Sequence, residues 1–148
     1  MSPSDAAEAY KTYMNPFAGR ARLGCPAVTN SMEPGQGLGW LKDFLTACNG
    51  ECHIDFFPVH WYDPNGNMDS LKQHLSQAHD LADGKSVWLT EFGLSGVGSQ
   101  DAQVAFLNQA LPYLDETSYV ERYAYFGVFD GSLLDGDAVS PAGQVYLS

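Results

Sequence analysis

The chain has 148 residues, 45% of them hydrophobic and 13% aromatic, which is room for one domain with a sizeable core. Eighteen acidic residues against seven basic ones give a formal charge of -11. That balance argues against nucleic acid and anionic membranes as partners, because phosphates attract lysine and arginine; a neutral polymer or small neutral ligand fits better.

The elements follow in regular order. Ser4 opens a first helix, with Ser2 and Pro3 ahead of it and Asn15-Pro16 ending it. A strand is expected at 22–28, then a Gly/Pro-rich loop at 31–37 and a helix at 38–47. Residues 54–62 form the next expected strand, closed by the turn Asp63-Pro64-Asn65-Gly66. A helix at 68–82 carries the stripe Leu71, Leu75 and Ala78 and stops at Asp83-Gly84. A strand at 87–92, a Gly/Ser-rich loop at 93–99 and a helix at 101–114 come next. A strand at 121–128, a loop containing Gly131 and Gly136, and a short helix after Pro141 complete the chain. Alternation of this kind implies an α/β fold with a parallel sheet and right-handed crossovers.

Two architectures suit that order: an open doubly wound sheet, or part of a (β/α)8 barrel. No Gly-rich phosphate loop follows any strand, so nucleotide binding on an open sheet has no support. Polar and aromatic residues gather instead at strand ends, as they do in barrel enzymes. No apolar run approaches a membrane span, and the opening residues 1–8 lack the basic flank and apolar stretch of a signal peptide.

Of the three cysteines, Cys48 and Cys52 bracket the short turn Asn49-Gly50-Glu51. A local disulfide and a pair of reduced thiols both suit that spacing; a zinc site does not, since no second ligand pair follows. Cys25 reads as a small core residue. His74 and His79 stand five apart on a helix, a poor spacing for shared metal ligation, so neither metal nor cofactor is implied.

The run Val87-Trp88-Leu89-Thr90-Glu91 carries the chemistry. A carboxylate closing an apolar strand builds a poor core but aims one charge into a cleft. If Glu91 points to the inner face, alternation sends Leu89 and Val87 there too, and turns Trp88, Thr90 and Phe92 toward the helices. His60, Trp61 and Tyr62 end another strand, where a phenol or imidazole can hold a carboxylate ionised and an aromatic face can receive a sugar. Asn30 suits either a sugar hydroxyl or a turn. Tyr123 and Tyr125 share one face of the last strand, a possible sugar platform.

Six stretches taken together resemble a known family: 21–30, 39–45, 59–62, 87–93, 119–126 and 140–143. They resemble the fungal "glycosyl hydrolase catalytic core" group, glycoside hydrolase family 128, in the same order and over nearly the whole chain. The resemblance implies a (β/α)8 TIM barrel that cleaves cell-wall β-1,3-glucan with retention, its nucleophile on strand seven and its acid/base on strand four. The strands at Arg22, Ile54, Val87 and Glu121 then become strands five to eight, and residues 1–148 a single partial domain, half a barrel. Glu91 would be the nucleophile, with His60, Trp61, Tyr62, Tyr125 and Phe126 lining the substrate, beside Asn30 as read from its own position. The family's Asn-Glu-Pro motif on strand four is absent from the chain, so Met1 is expected to correspond to an internal methionine, and the isolated chain to be inactive. A non-catalytic glucan-binding module and an inactive fragment are the alternatives. The family also implies an extracellular or cell-wall location, and a half barrel implies self-association through its unpaired sheet edges.

Overall fold

The Ser2 side chain accepts from the Asp5 amide and Pro3 fills the first turn, so α1 (Pro3–Tyr13) starts where its orphan N–H groups are best served. The structure, a computed structural model, describes residues 1–96 and 98–148. After a 3-10 turn at Asn15–Phe17, the order is α2 (Gly37–Cys48), β1 (Phe56–Asp63), α3 (Met68–Ala82), β2 (Ser86–Leu94), α4 (Gln100–Glu116) and β3 (Val120–Tyr125). A short antiparallel pair, β4 (Leu134–Asp135) with β5 (Ala138–Val139), and α5 (Pro141–Tyr146) follow. Asn67 and Ser99 cap α3 and α4 through their side chains. Cys48 and Cys52 are disulfide-bonded, and Cys25 is a buried free thiol that burial pushes up to about 12.

β1, β2 and β3 form one parallel sheet in that order, the α/β arrangement expected from the alternation. The strand expected at 22–28 is reduced to two isolated parallel bridges onto β1, Gly24 to Phe56 and Val28 to Val59. Pro26 lies between those bridges and has no N–H to donate, which interrupts the ladder there. The β4–β5 pair was not expected, since two residues per strand are too few to show alternation.

Helices α3 and α4 cover one face of the sheet. Phe57, Val59 and Trp61 of β1 and Val87, Leu89 and Phe92 of β2 are buried, with Trp61 and Phe92 packed on Phe106 of α4. The expected alternation along β2 is therefore corrected: Val87 and Leu89 face the helices, and Trp88 faces the other way. The cause is a register shift. Val59 pairs with Leu89 but His60 pairs with Glu91, and on the other side Leu89 pairs with Tyr123 but Phe92 with Tyr125. Thr90 is the extra residue on β2, a bulge that resets the phase so that Glu91 leaves the helical face while Phe92 stays on it.

The face away from the helices has its own organisation. Phe56 and Trp88 stack at 3.8 Å, and the Arg22 and Arg122 guanidinium groups lie 5.4 and 4.8 Å from the Trp88 ring. Arg22 donates to both oxygens of Glu121, at 2.6 and 2.8 Å, and the Ser86 hydroxyl and Trp88 indole donate to its Oε2. This cluster ties the segment before β1 to β3, 99 residues later, across the whole sheet.

Hydrogen bonds from Arg22, Ser86 and Trp88 hold the Glu121 carboxyl well below the ordinary carboxylate range. A depressed folded-state value adds stability that is complete above the unfolded value, near ~4.3, and is lost as pH falls through the folded one. Chemical denaturation as a function of pH is expected to show wild-type stability declining below about pH 4.3 more steeply than that of Glu121→Gln. Parallel declines would show that the cluster does not couple protonation to folding.

Candidate active site

The site is assembled at the C-terminal ends of β1 and β2. The bulge at Thr90 presents the Glu91 carboxylate on the open face, where its side chain is 35% exposed. Tyr62 donates its hydroxyl to Glu91 Oε2 at 2.8 Å, and His60 Nδ1 approaches the same oxygen at 3.4 Å. His60 and Tyr62 reach it because they are two apart on β1 and so share its open face. Both contacts fall on Oε2, which leaves Oε1 without a protein donor among the described residues. Partial burial, with the hydrogen bond to Glu91 behind it, raises the Tyr62 phenol well above its ordinary value, so it stays protonated and donates.

Phe126 meets the Tyr62 ring edge-on, with centroids 6.1 Å apart, and is about half exposed. Both rings line a cavity of about 320 Å³ between the loop after β2 and the loop after β3. Two glutamines of α4 hold these loops. Gln103, 2% exposed, donates to the carbonyls of Gly98 and Gly131, and Gln100 donates to those of Gly131 and Ser132. Neither was singled out from the sequence. Their one visible trace was a pair of polar residues three apart at the start of an otherwise apolar helix face.

The structure brings together five of the expected site residues: Glu91, His60 and Tyr62, with Tyr125 and Phe126 lining the adjoining cavity. Trp61 is not among them. Its ring is fully buried, stacked on Phe106 with the indole N–H directed to the Ser70 hydroxyl, so it has no face to offer a sugar. Tyr125 is mostly covered, 7% exposed with its hydroxyl donating to Gln103, and it lines the cavity from the helical side. Tyr123 and Tyr125 do share a face, but it is the covered one; Tyr123 reaches Asp115 of α4. Asn30 gives both ends of its amide to the backbone of Tyr62, accepting from the N–H at 3.1 Å and donating to the carbonyl at 2.9 Å. Among the described residues no group of three or more metal-ligating side chains converges.

The sequence model of the family described as "Glycosyl hydrolase catalytic core" matches residues 1–146. The chain belongs to this family, glycoside hydrolase family 128. Alkali-sensitive linkage protein 1 of Schizosaccharomyces pombe is 31% identical to it, over 99% of this chain and 30% of that protein. A curdlan-specific exo-β-1,3-glucanase of Blastomyces gilchristii, subgroup III of the family, has been solved in complex with glucose. It superposes with a TM-score of 0.91 at 49% identity, covering 99% of this chain and 62% of its own. A subgroup IV endo-β-1,3-glucanase of Lentinula edodes gives a TM-score of 0.84 at 30% identity, covering 98% of this chain and 63% of its own. The chain thus spans less than two thirds of each of these relatives.

The placement of Trp61 has a consequence for stability. Trp61→Ala is expected to cost about 3–5 kcal/mol, as truncation of a buried tryptophan does, measured by chemical denaturation. A loss below about 1 kcal/mol would contradict a core role for this ring.

Proposed function

We propose that Glu91 is the nucleophile of a retaining β-1,3-glucan hydrolase site, and that residues 1–148 supply strands five to eight of a (β/α)8 barrel. The observation that carries this reading is the asymmetry of the carboxylate: Oε2 is held by Tyr62 and His60, while Oε1 has no protein donor among the described residues. A carboxylate held in this way is oriented by one oxygen while the other attacks. The glucan as ligand is supported by the β-1,3-glucanase relatives and by the glucose bound in the Blastomyces enzyme. Phe126, exposed beside the cavity, offers an apolar face for a pyranose ring.

In this mechanism Glu91 Oε1 attacks the anomeric carbon. The glycosidic C–O bond breaks, and the departing oxygen takes a proton from a second carboxyl about 5–5.5 Å from the first. Water then hydrolyses the glycosyl ester, activated by that same second carboxyl. The second carboxyl is proposed to belong to the part of the family fold that residues 1–148 do not span.

The test separates the two halves of the site. A 2-deoxy-2-fluoro-laminaribiosyl fluoride needs little protonation: Glu91 Oε1 bonds to C1 and fluoride leaves with the electron pair. The chain is expected to gain one glycosyl mass on the peptide containing Glu91, with none on Glu91→Gln, while hydrolysing laminarin hardly at all. Label on any other residue would overturn the nucleophile assignment. Efficient laminarin hydrolysis abolished by Glu91→Gln would overturn the external proton donor.

A further inference from the structure

Asn30 stands behind Tyr62, on the segment that bridges onto β1 at Val28. Its amide imitates a neighbouring strand. Oδ1 accepts from the Tyr62 N–H at 3.1 Å and Nδ2 donates to the Tyr62 carbonyl at 2.9 Å, so both backbone groups of one residue are fixed by one side chain. Val28 O accepts from the His60 N–H at 2.8 Å, two residues earlier on β1. The side chain therefore continues the ladder past the point where the backbone of this segment turns away. Both polar atoms of the amide thus bond β1, one hydrogen bond each, and Tyr62 in turn donates to Glu91 Oε2.

The loop bearing Asn30 is itself built to stay in place. The Ser31 amide donates to the Thr29 hydroxyl and the Glu33 amide to the Ser31 hydroxyl. Gly37, with φ +54, lies so close to this loop that a Cβ there would collide with the Ser31 carbonyl and press on that of Thr29. The chain of contacts runs from Gly37 to the 29–31 loop, to the Asn30 amide, to the Tyr62 backbone, and from the Tyr62 hydroxyl to the carboxylate.

We propose that Asn30 is a positioning residue for Glu91, acting through the backbone of Tyr62 and not through contact with the sugar. The proposal rests on the reading of Glu91 as nucleophile. Loss of the amide frees the end of β1 to shift, and misplacement of a reacting group by about 1 Å can cost about a hundredfold in rate. Because Asn30 acts only through Tyr62, its removal adds nothing once the Tyr62 hydroxyl is gone.

The test follows the rate of labelling by the same fluoride in wild type, Asn30→Ala, Tyr62→Phe and the double variant. Asn30→Ala is expected to slow labelling at least about tenfold, and the double variant to be no slower than Tyr62→Phe. Ala78→Gly, a buried change on α3 away from the site, is the control for stability and is expected to label at the wild-type rate. Wild-type labelling by Asn30→Ala, or a double variant slowed by the product of the two factors, would overturn the proposal. Where Asn30→Ala does not fold, Asn30→Asp keeps the volume and the acceptor and removes the donor; the same loss is expected, and none would be contrary.

A second readout needs no chemistry on Glu91. The Tyr62 hydroxyl proton, hydrogen-bonded to a carboxylate, is expected as a downfield resonance that is lost in Tyr62→Phe and lost or displaced in Asn30→Ala. An unchanged resonance in Asn30→Ala overturns the positioning role. Labelling that fails in wild type while this resonance responds to Asn30→Ala overturns only the nucleophile reading.

Discussion

Everything distinctive about this fold depends on one extra residue in β2. Up to Leu89 the strand runs in step with β1, while β3 carries an extra residue of its own at Glu121, and Val87 and Leu89 enter the layer beneath α3 and α4. Continued in step, the same ladder would place Glu91 in that apolar layer and Phe92 on the open face. Burying an unpaired carboxylate costs several kcal/mol at least, and exposing a phenylalanine forfeits about 1.5–3 kcal/mol more. Thr90 absorbs the conflict. Both neighbouring strands skip past this part of β2, its hydroxyl leans on the Val59 carbonyl at 3.4 Å, and the phase is reset for the last turn of the strand. A core requirement and a site requirement that oppose each other in an even strand are thus both met.

The two ends of the open face have different chemistry for the same reason. Toward the strand starts, Arg22, Glu121, Trp88 and Phe56 neutralise and cover one another, so charge there is internally satisfied and serves to join the first segment to the last strand. Toward the strand ends, Glu91 meets only neutral or weakly basic partners, Tyr62 and His60, on one of its two oxygens. A carboxylate locked by a bidentate arginine is a structural element. One held by a phenol on a single oxygen leaves the other without a protein donor among the described residues.

How much of this was legible in the sequence depends on what each residue's neighbours determine. The helices and the strands at Phe56, Ser86 and Val120 were legible because periodicity and capping residues are local, and Glu91 stood out as a charge ending an apolar run. His60 and Tyr62 were legible as companions on a strand end. The faces of Val87, Leu89 and Trp88 were not, because a bulge is a property of three strands together and Thr90 is an ordinary strand residue by itself. The same phase fixes Trp61 against Phe106 and Tyr125 against Gln103, which is why one aromatic expected at the sugar is in the core and the other is a mostly covered wall of the cavity. Asn30 was seen as polar and near the site, but side-chain pairing to a backbone 32 residues away leaves no local mark.

Deletion of Thr90 tests the central claim most directly. Without the extra residue Glu91 follows Leu89 directly, so plain alternation keeps the carboxylate on the open face and Phe92 on the helical one, with the bulge gone. The account predicts that the deletion variant folds and keeps the downfield Tyr62 hydroxyl resonance, because only the unpaired residue has been removed. A folded deletion variant that loses this resonance, its carboxylate turned from Tyr62, would contradict it.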